Sequence, residues 1–329
     1  MDTLSDVLRA VRLSGAVLFV GEFSTPWSVW APDSRLFAPM LIPGAKQLVL
    51  FHLIVEGTCW VELESESPCK LEAGDLIVLP DGDAHALANP PGETRTPMST
   101  LLPPPPWQQP PSLVHGGGGE VARILCGFLY CDNAVFNPVF TMLPRVLLVR
   151  AKDGPSGSWL QTNVRYMLQE VGAQRPGGAS LLARLTELLF VEVLRRSMEN
   201  LSDNQIGWLA ALKDPLVGKA LQLIHADPTH PWQVTELGRR VGLSRSVLAE
   251  RFRHFLGEPP MHYLIRWRLQ LAAQLLRDTD DGISAIAARV GYDSEAAFSR
   301  AFKRQAGESP AAWRTGARAA RAAPAVIHY

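Results

Sequence analysis

The stretch Val234-Thr235-Glu236-Leu237-Gly238-Arg239-Arg240-Val241-Gly242-Leu243-Ser244 decides the reading of this chain. It recurs further on as Ile283-Ser284-Ala285-Ile286-Ala287-Ala288-Arg289-Val290-Gly291-Tyr292-Asp293-Ser294. Each copy is a short amphipathic helix, then a glycine at a tight turn, then a polar residue suited to capping a second helix. That is the pattern of a helix-turn-helix unit, present twice. Two such units on one rigid frame can set two recognition helices into successive major-groove turns on one face of a duplex. The expected partner is therefore double-stranded DNA.

The repeats continue beyond the turn. Leu248 and Phe252 in the first copy, and Phe298 and Phe302 in the second, fall four apart and form the buried stripe of a docked helix. Off that stripe lie Arg245, Ser246, Ala249, Glu250 and Arg253, then Ser294, Glu295, Ala296, Ser299, Arg300 and Lys303. These are the candidate contacts to base edges and phosphates. Taken alone, each cation fits an ordinary solvated helix face; it is the surrounding motif that turns the reading toward DNA.

The block 214–314 resembles the DNA-binding domain of the AraC family of transcription regulators. The resemblance is carried by both repeats and by Gly257-Glu258-Pro259-Pro260, Tyr263-Leu264, Arg266-Trp267-Arg268-Leu269, Gly307 and Ser309-Pro310. It implies a long helix over residues 261–277 that fixes the spacing of the two units, and a DNA contact at Arg300. Many family members carry a basic or amide residue where this chain has Glu250. A carboxylate there can accept from cytosine N4 but repels phosphate, or it can pair with an arginine of its own helix.

Charge divides the chain. From Lys213 onward there are 17 Lys and Arg against 11 Asp and Glu, a net of +6, which leaves −6 upstream because the whole chain is neutral. The basic part suits a polyanion and the acidic part does not. No stretch has the length and apolarity of a membrane span, and the N-terminus lacks the basic-then-apolar form of a secretory signal, so the expected location is the cytoplasm.

Upstream, strand-like runs at 47–55, 58–63, 76–79 and 121–130 are split by Gly, Pro and acidic turns, the pattern of a small β-barrel or sandwich. Within them Gly74, Pro80, Gly82, His85 and Asn89 occupy every defined position of the second cupin motif, and this stretch resembles a cupin. The first motif is incomplete: Phe51-His52-Leu53-Ile54-Val55-Glu56-Gly57 offers one histidine, which argues against a three-His-one-Glu metal site. The match is closer to sensory cupins that precede AraC-type domains, through Cys126-Gly127 and Leu143-Pro144.

Three kinds of stimulus remain open for this domain. His52 and His85, with His115 or Cys126, offer imidazole and thiolate ligands suited to a divalent metal such as zinc, although no cofactor is required by the sequence. A small organic effector in an apolar barrel is the second option. A thiol switch is the third, since Cys59, Cys69, Cys126 and Cys131 all lie upstream of the DNA-binding part; buried cysteine acting as a small hydrophobe is the commoner case.

Residues 103–111 are proline-rich and stiff, and Gly116–Gly119 follow as a loose piece. Arg175-Pro176-Gly177-Gly178 separates helical stretches at 158–174 and 179–199, the second with a broad leucine face that either caps the barrel or forms a homodimer contact, as such helices do in the AraC family. The expected architecture is α+β: a cupin-like β-barrel over 1–150, a helical linker over 151–207, an all-α double helix-turn-helix over 208–316, and a flexible tail at 317–329. The expected function is a sequence-specific transcription regulator acting at promoter DNA with RNA polymerase, modulated by an unknown effector. The alternative is a cupin dioxygenase or isomerase tethered to DNA, which would need a complete set of metal ligands.

Overall fold

The computed structural model describes the chain except residues 1, 11–12, 105–106, 108, 132–135, 137–139, 152–156, 174, 202–204 and 323–329. Parts of the proline-rich run and of the C-terminal tail therefore lie outside the described residues. The chain forms two compact units: one comprises 13–130 with 145–197, the other 1–12, 131–144 and 198–323. This differs from a division at residue 150, because two pieces from the N-terminal half fold with the helical unit.

Among the described residues the first unit is built on eleven strands: β1 (Leu13–Ser24), β2 (Trp27–Ala31), β3 (Val49–Glu56), β4 (Thr58–Leu63), β5 (Cys69–Glu72), β6 (Leu76–Leu79), β7 (His85–Asn89), β8 (Thr96–Pro97), β9 (Ser112–Gly116), β10 (Val121–Cys131) and β11 (Leu147–Val149). The expected barrel takes the form of two sheets, ordered β11-β6-β3-β10-β1-β9 and β5-β4-β7-β2-β8. One apolar core lies between them, joining Leu50, Ile54, Ile124 and Phe128 of the first sheet to Val61, Leu63 and Leu87 of the second. Even-numbered residues of β3 and β10 face this core, as the two-residue period of a strand requires. Phe51 and Leu129, on the other face of the first sheet, approach Thr186, Leu189, Phe190 and Val193 of a helix, leaving a cavity of about 10 Å³, barely room for one water. The glycine run is tied down: Gly117 N and Gly119 N donate to the carbonyls of Ser24 and Thr25 at 2.9 Å, and Gly118 N to Ser24 Oγ at 2.9 Å. It is a hydrogen-bonded turn and not a loose connector.

Among the described residues, thirteen α-helices run in chain order: α1 (Thr3–Ala10), the single turns α2 (Ala38–Leu41) and α3 (Met98–Leu101), α4 (Gly157–Ala173), α5 (Gly178–Glu199), α6 (Trp208–Lys213), α7 (Pro215–Ala226), α8 (Val234–Val241), α9 (Arg245–Leu256), α10 (Pro260–Asp278), α11 (Ile283–Arg289), α12 (Glu295–Ala306) and α13 (Pro310–Ala322). The broad leucine face expected over 179–199 is that of α5, which buries Leu182, Leu185, Leu189 and Leu194 while Leu188 remains 51% exposed. In the helical unit, Asp214 caps α7 by accepting from Leu216 N and Val217 N, and its other oxygen takes Arg251 of α9. That single carboxylate fastens the start of α7 to the middle of a recognition helix.

Candidate functional site

The two repeated units fold as the same device. Gly242, at φ 78°, ends α8, and Ser244 caps α9 by accepting from Val247 N. Gly291, at φ 85°, follows α11, and Ser294 caps α12 by accepting from Ala297 N. A non-glycine residue at either turn would have to adopt the left-handed conformation that its Cβ disfavours. The turns differ by one residue, Asp293, and this explains Gly238. A Cβ there would stand 2.6 Å from the Leu243 carbonyl oxygen, whereas the longer second turn accommodates Ala287 at the equivalent position. Gly257 and Gly307, both with positive φ, end the recognition helices α9 and α12.

The structure places the candidate contact residues on two outward faces. On α9, Arg245, Ser246, Glu250 and Arg253 are exposed and Ala249 is half-buried; on α12, Ser294, Glu295, Ala296, Arg300 and Lys303 are exposed and Ser299 is half-buried. Leu248, Phe252, Phe298 and Phe302 are wholly buried beneath them. Val247 and His254 on α9 and Arg304 on α12 share the exposed surfaces and were absent from the sequence reading; counting outward from the buried stripe would have found them. Arg251, by contrast, is drawn inward to Asp214. No ion pair to Glu250 is found among the described residues, so its carboxylate is not drawn off by an arginine of its own helix. α10 joins the units, extending one residue beyond the expected range at each end. Its Arg268 braces the second turn by donating to the carbonyls of Pro228, Gly291 and His230.

Inside the sheet unit, three of the sequence candidates meet. His52 on β3 and Cys126 on β10 are register partners, and His85 lies on β7 of the opposite sheet. His52 Nδ1 is 3.0 Å from Cys126 Sγ, His52 Nε2 is 2.7 Å from His85 Nε2, and His85 Nδ1 is 2.8 Å from the Asp83 carbonyl oxygen. Chemistry fixes the proton positions. A carbonyl only accepts, so His85 carries its proton on Nδ1; neutral His85 then accepts at Nε2 from His52 Nε2–H; His52 Nδ1 is left to accept from the Cys126 thiol. The result is one directed, neutral hydrogen-bond chain linking the sheets. Burial holds both histidines below their ordinary pKa, with each other's proximity adding to the effect at His52, and pushes the Cys126 thiol up.

This arrangement bears on the metal and thiol options. His52 directs opposite ring nitrogens at its two partners, so the trio does not converge on one point, and no group of three His, Cys, Asp or Glu arranged to hold a metal is found among the described residues. His115 stands apart on β9, where its ring meets Thr96 Oγ1 at 3.3 Å. All four cysteines are free. Cys59 is buried and its pKa is pushed up to about 12, and Cys131 is buried as well. Cys69 is half-buried, 3.6 Å from Arg150 Nη2.

A two-sheet domain of cupin type followed by two helix-turn-helix units defines a DNA-binding regulator, and comparison with known proteins agrees. Residues 2–199 match the family model described as cupin, and residues 237–316 the one described as helix-turn-helix domain. An AraC-like transcription regulator from Streptomyces lividans is 32% identical over 95% of this chain and 98% of its own length. The HTH-type transcriptional regulator AlkR of Acinetobacter baylyi is 30% identical over 82% and 89%. Among solved structures, the DNA-binding domain of AdpA in complex with a target DNA is 34% identical, covering 33% of this chain and 96% of that one with a TM-score of 0.32. The chain belongs to the AraC-like family of transcription regulators; it is a DNA-binding regulator and not an enzyme. No helix among the described residues is long and apolar enough to cross a membrane.

Proposed function

We propose that this chain reads a specific promoter sequence through α9 and α12 together and that its cupin-type domain converts a chemical stimulus into a change in that reading. The observation that carries the proposal is the pair of exposed recognition faces, each with cations flanking a polar or acidic residue, on units joined by the single helix α10. Arg245, Arg253, Arg300 and Lys303 supply phosphate or guanine contacts, and Glu250 accepts from cytosine. The regulator acts in the cytoplasm on promoter DNA, alongside RNA polymerase, and pairs with a second copy through the outer faces of α4 and α5, where Tyr166 and Leu188 are exposed.

For the stimulus, the His52–His85–Cys126 chain is the chemically distinctive feature of the core, and a sensed ligand acts by breaking it. His52 turns opposite ring nitrogens to Cys126 and His85, so a small effector that competes for one of these hydrogen bonds fits the present side-chain positions better than a resident ion does. Fluorescence anisotropy with an operator selected from a random DNA library by the full-length protein tests the DNA reading. Arg300→Ala weakens binding, whereas Cys126→Ser leaves bare affinity near the parent value and abolishes or mimics the response. Equal affinity of the parent for scrambled DNA refutes the proposal.

A further inference from the structure

The second helix-turn-helix does not complete its own core. Of the eleven residues in its buried cluster, ten come from the span 269–302 and the eleventh is Phe136, from the segment that follows β10. Phe136 is wholly buried. Its ring centroid lies 5.1 Å from that of Phe302 on α12, and 5.5 Å, edge-on, from that of Trp313 on α13. Phe302 in turn meets Phe298 and Trp313 at 5.6 and 5.8 Å. Phe136 is thus one member of an aromatic cluster that seats the recognition helix α12. The first recognition helix is seated differently, against α6, α7, α8 and α10.

A second donated piece, α1, is not selective in this way: it packs against α7, which seats α9, as well as against α10. α1 folds with the helical unit, and Gln270 of α10, with no exposed surface, donates from Nε2 to the carbonyl of Ala10 at 2.9 Å. Ala10 shortly precedes β1, and Phe136 shortly follows β10. β1 and β10 are hydrogen-bonded neighbours in one sheet, and β10 also carries Cys126. In the sequence, each of these two adjacent strands is therefore separated by only a few residues from a piece that folds with the DNA-binding unit.

We infer that Phe136 is a donated core residue through which strand β10 controls the second recognition helix selectively, so that the cupin-type domain tunes one half-site of the operator while the other is read independently. The inference rests on the two-helix DNA reading proposed above. Core positions tolerate replacement that conserves apolar volume far better than truncation.

The test is hydroxyl-radical footprinting of the full chain on its selected operator, comparing the parent with Phe136→Ala and Phe136→Leu. The parent protects two half-sites; failure at this step strikes the DNA reading itself and not the role of Phe136. The alanine variant is expected to lose protection of the half-site read by α12, retain the other, and bind at least about tenfold more weakly, with leucine recovering most of the loss. Unchanged protection of both half-sites, or equal loss of both, overturns the inference. Should the alanine variant not fold, amide hydrogen exchange on the leucine variant decides: faster exchange in α12 than in α9 supports selective control, and equal exchange refutes it.

Discussion

Acidification should destabilise the cupin-type domain through His52 and His85, and the size of the effect follows from their burial. Both rings are neutral in the folded chain and held below the ordinary histidine pKa, whereas in the unfolded chain each titrates near 6.5. A group whose folded pKa is depressed in this way favours folding above its unfolded value and opposes it below, because the unfolded state then binds more protons. At pH 7.5 the contribution is close to nothing; at pH 5.5 each histidine costs at most about 1.4 kcal/mol, and the pair about 2.8 kcal/mol. The assay is urea denaturation from pH 7.5 to 5.5, comparing the parent with His52→Leu/His85→Leu. The double variant should lack this part of the acid slope whatever its stability at pH 7.5. His225, whose pKa burial lowers to about 3, contributes with the same sign in the helical unit and cancels in the comparison. An identical acid slope in the two proteins would show that the rings are not buried neutral partners.

Three further outcomes follow. Arg300→Ala and Lys303→Ala should each reduce the slope of log affinity against log salt by about 0.9 if the side chain meets a phosphate, read by anisotropy titrations across a salt series. Gly238→Ala, which drives a Cβ against the Leu243 carbonyl, should lower the melting temperature by an amount corresponding to about 1–3 kcal/mol, whereas Ala287→Gly should cost no more than about 1 kcal/mol; a neutral Gly238→Ala would refute the close-approach argument. Among the thiols, Cys69 should react with iodoacetamide first at pH 7.5, since Cys59 and Cys126 are buried with their pKa values raised. Mass spectrometry showing Cys126 labelled before Cys69 would contradict this.

The parts of the fold legible in the sequence were those specified locally. The two helix-turn-helix units announce themselves because turn glycine, capping serine and the four-residue apolar spacing all lie within about twenty residues of one another, whereas the long helix between them was expected through the family resemblance. The turn leading to His85 was legible through the resemblance of Gly74, Pro80, Gly82, His85 and Asn89 to the second cupin motif. Strand β1 was not: Leu13-Ser14-Gly15-Ala16-Val17-Leu18-Phe19-Val20 shows no regular alternation, because the strand is covered to different extents along its length. The meeting of His52, Cys126 and His85 depends on the register of β3 with β10 and on the packing of two sheets, neither of which short-range pattern encodes. Phe136 gave no signal, since its partners Phe302 and Trp313 lie far along the chain. His115, which the sequence grouped with the other ligands, went instead to β9 beside Thr96.

The proposed function requires one chain to read two major-groove segments on the same face of a duplex. Selection of bound DNA from a random library by the full-length protein, followed by sequencing, tests it most directly. The expected result is an enriched motif of two unequal half-sites separated by about one helical turn, roughly 10 base pairs. Recovery of no motif, or of a single half-site that Arg300→Ala leaves unchanged, would contradict it.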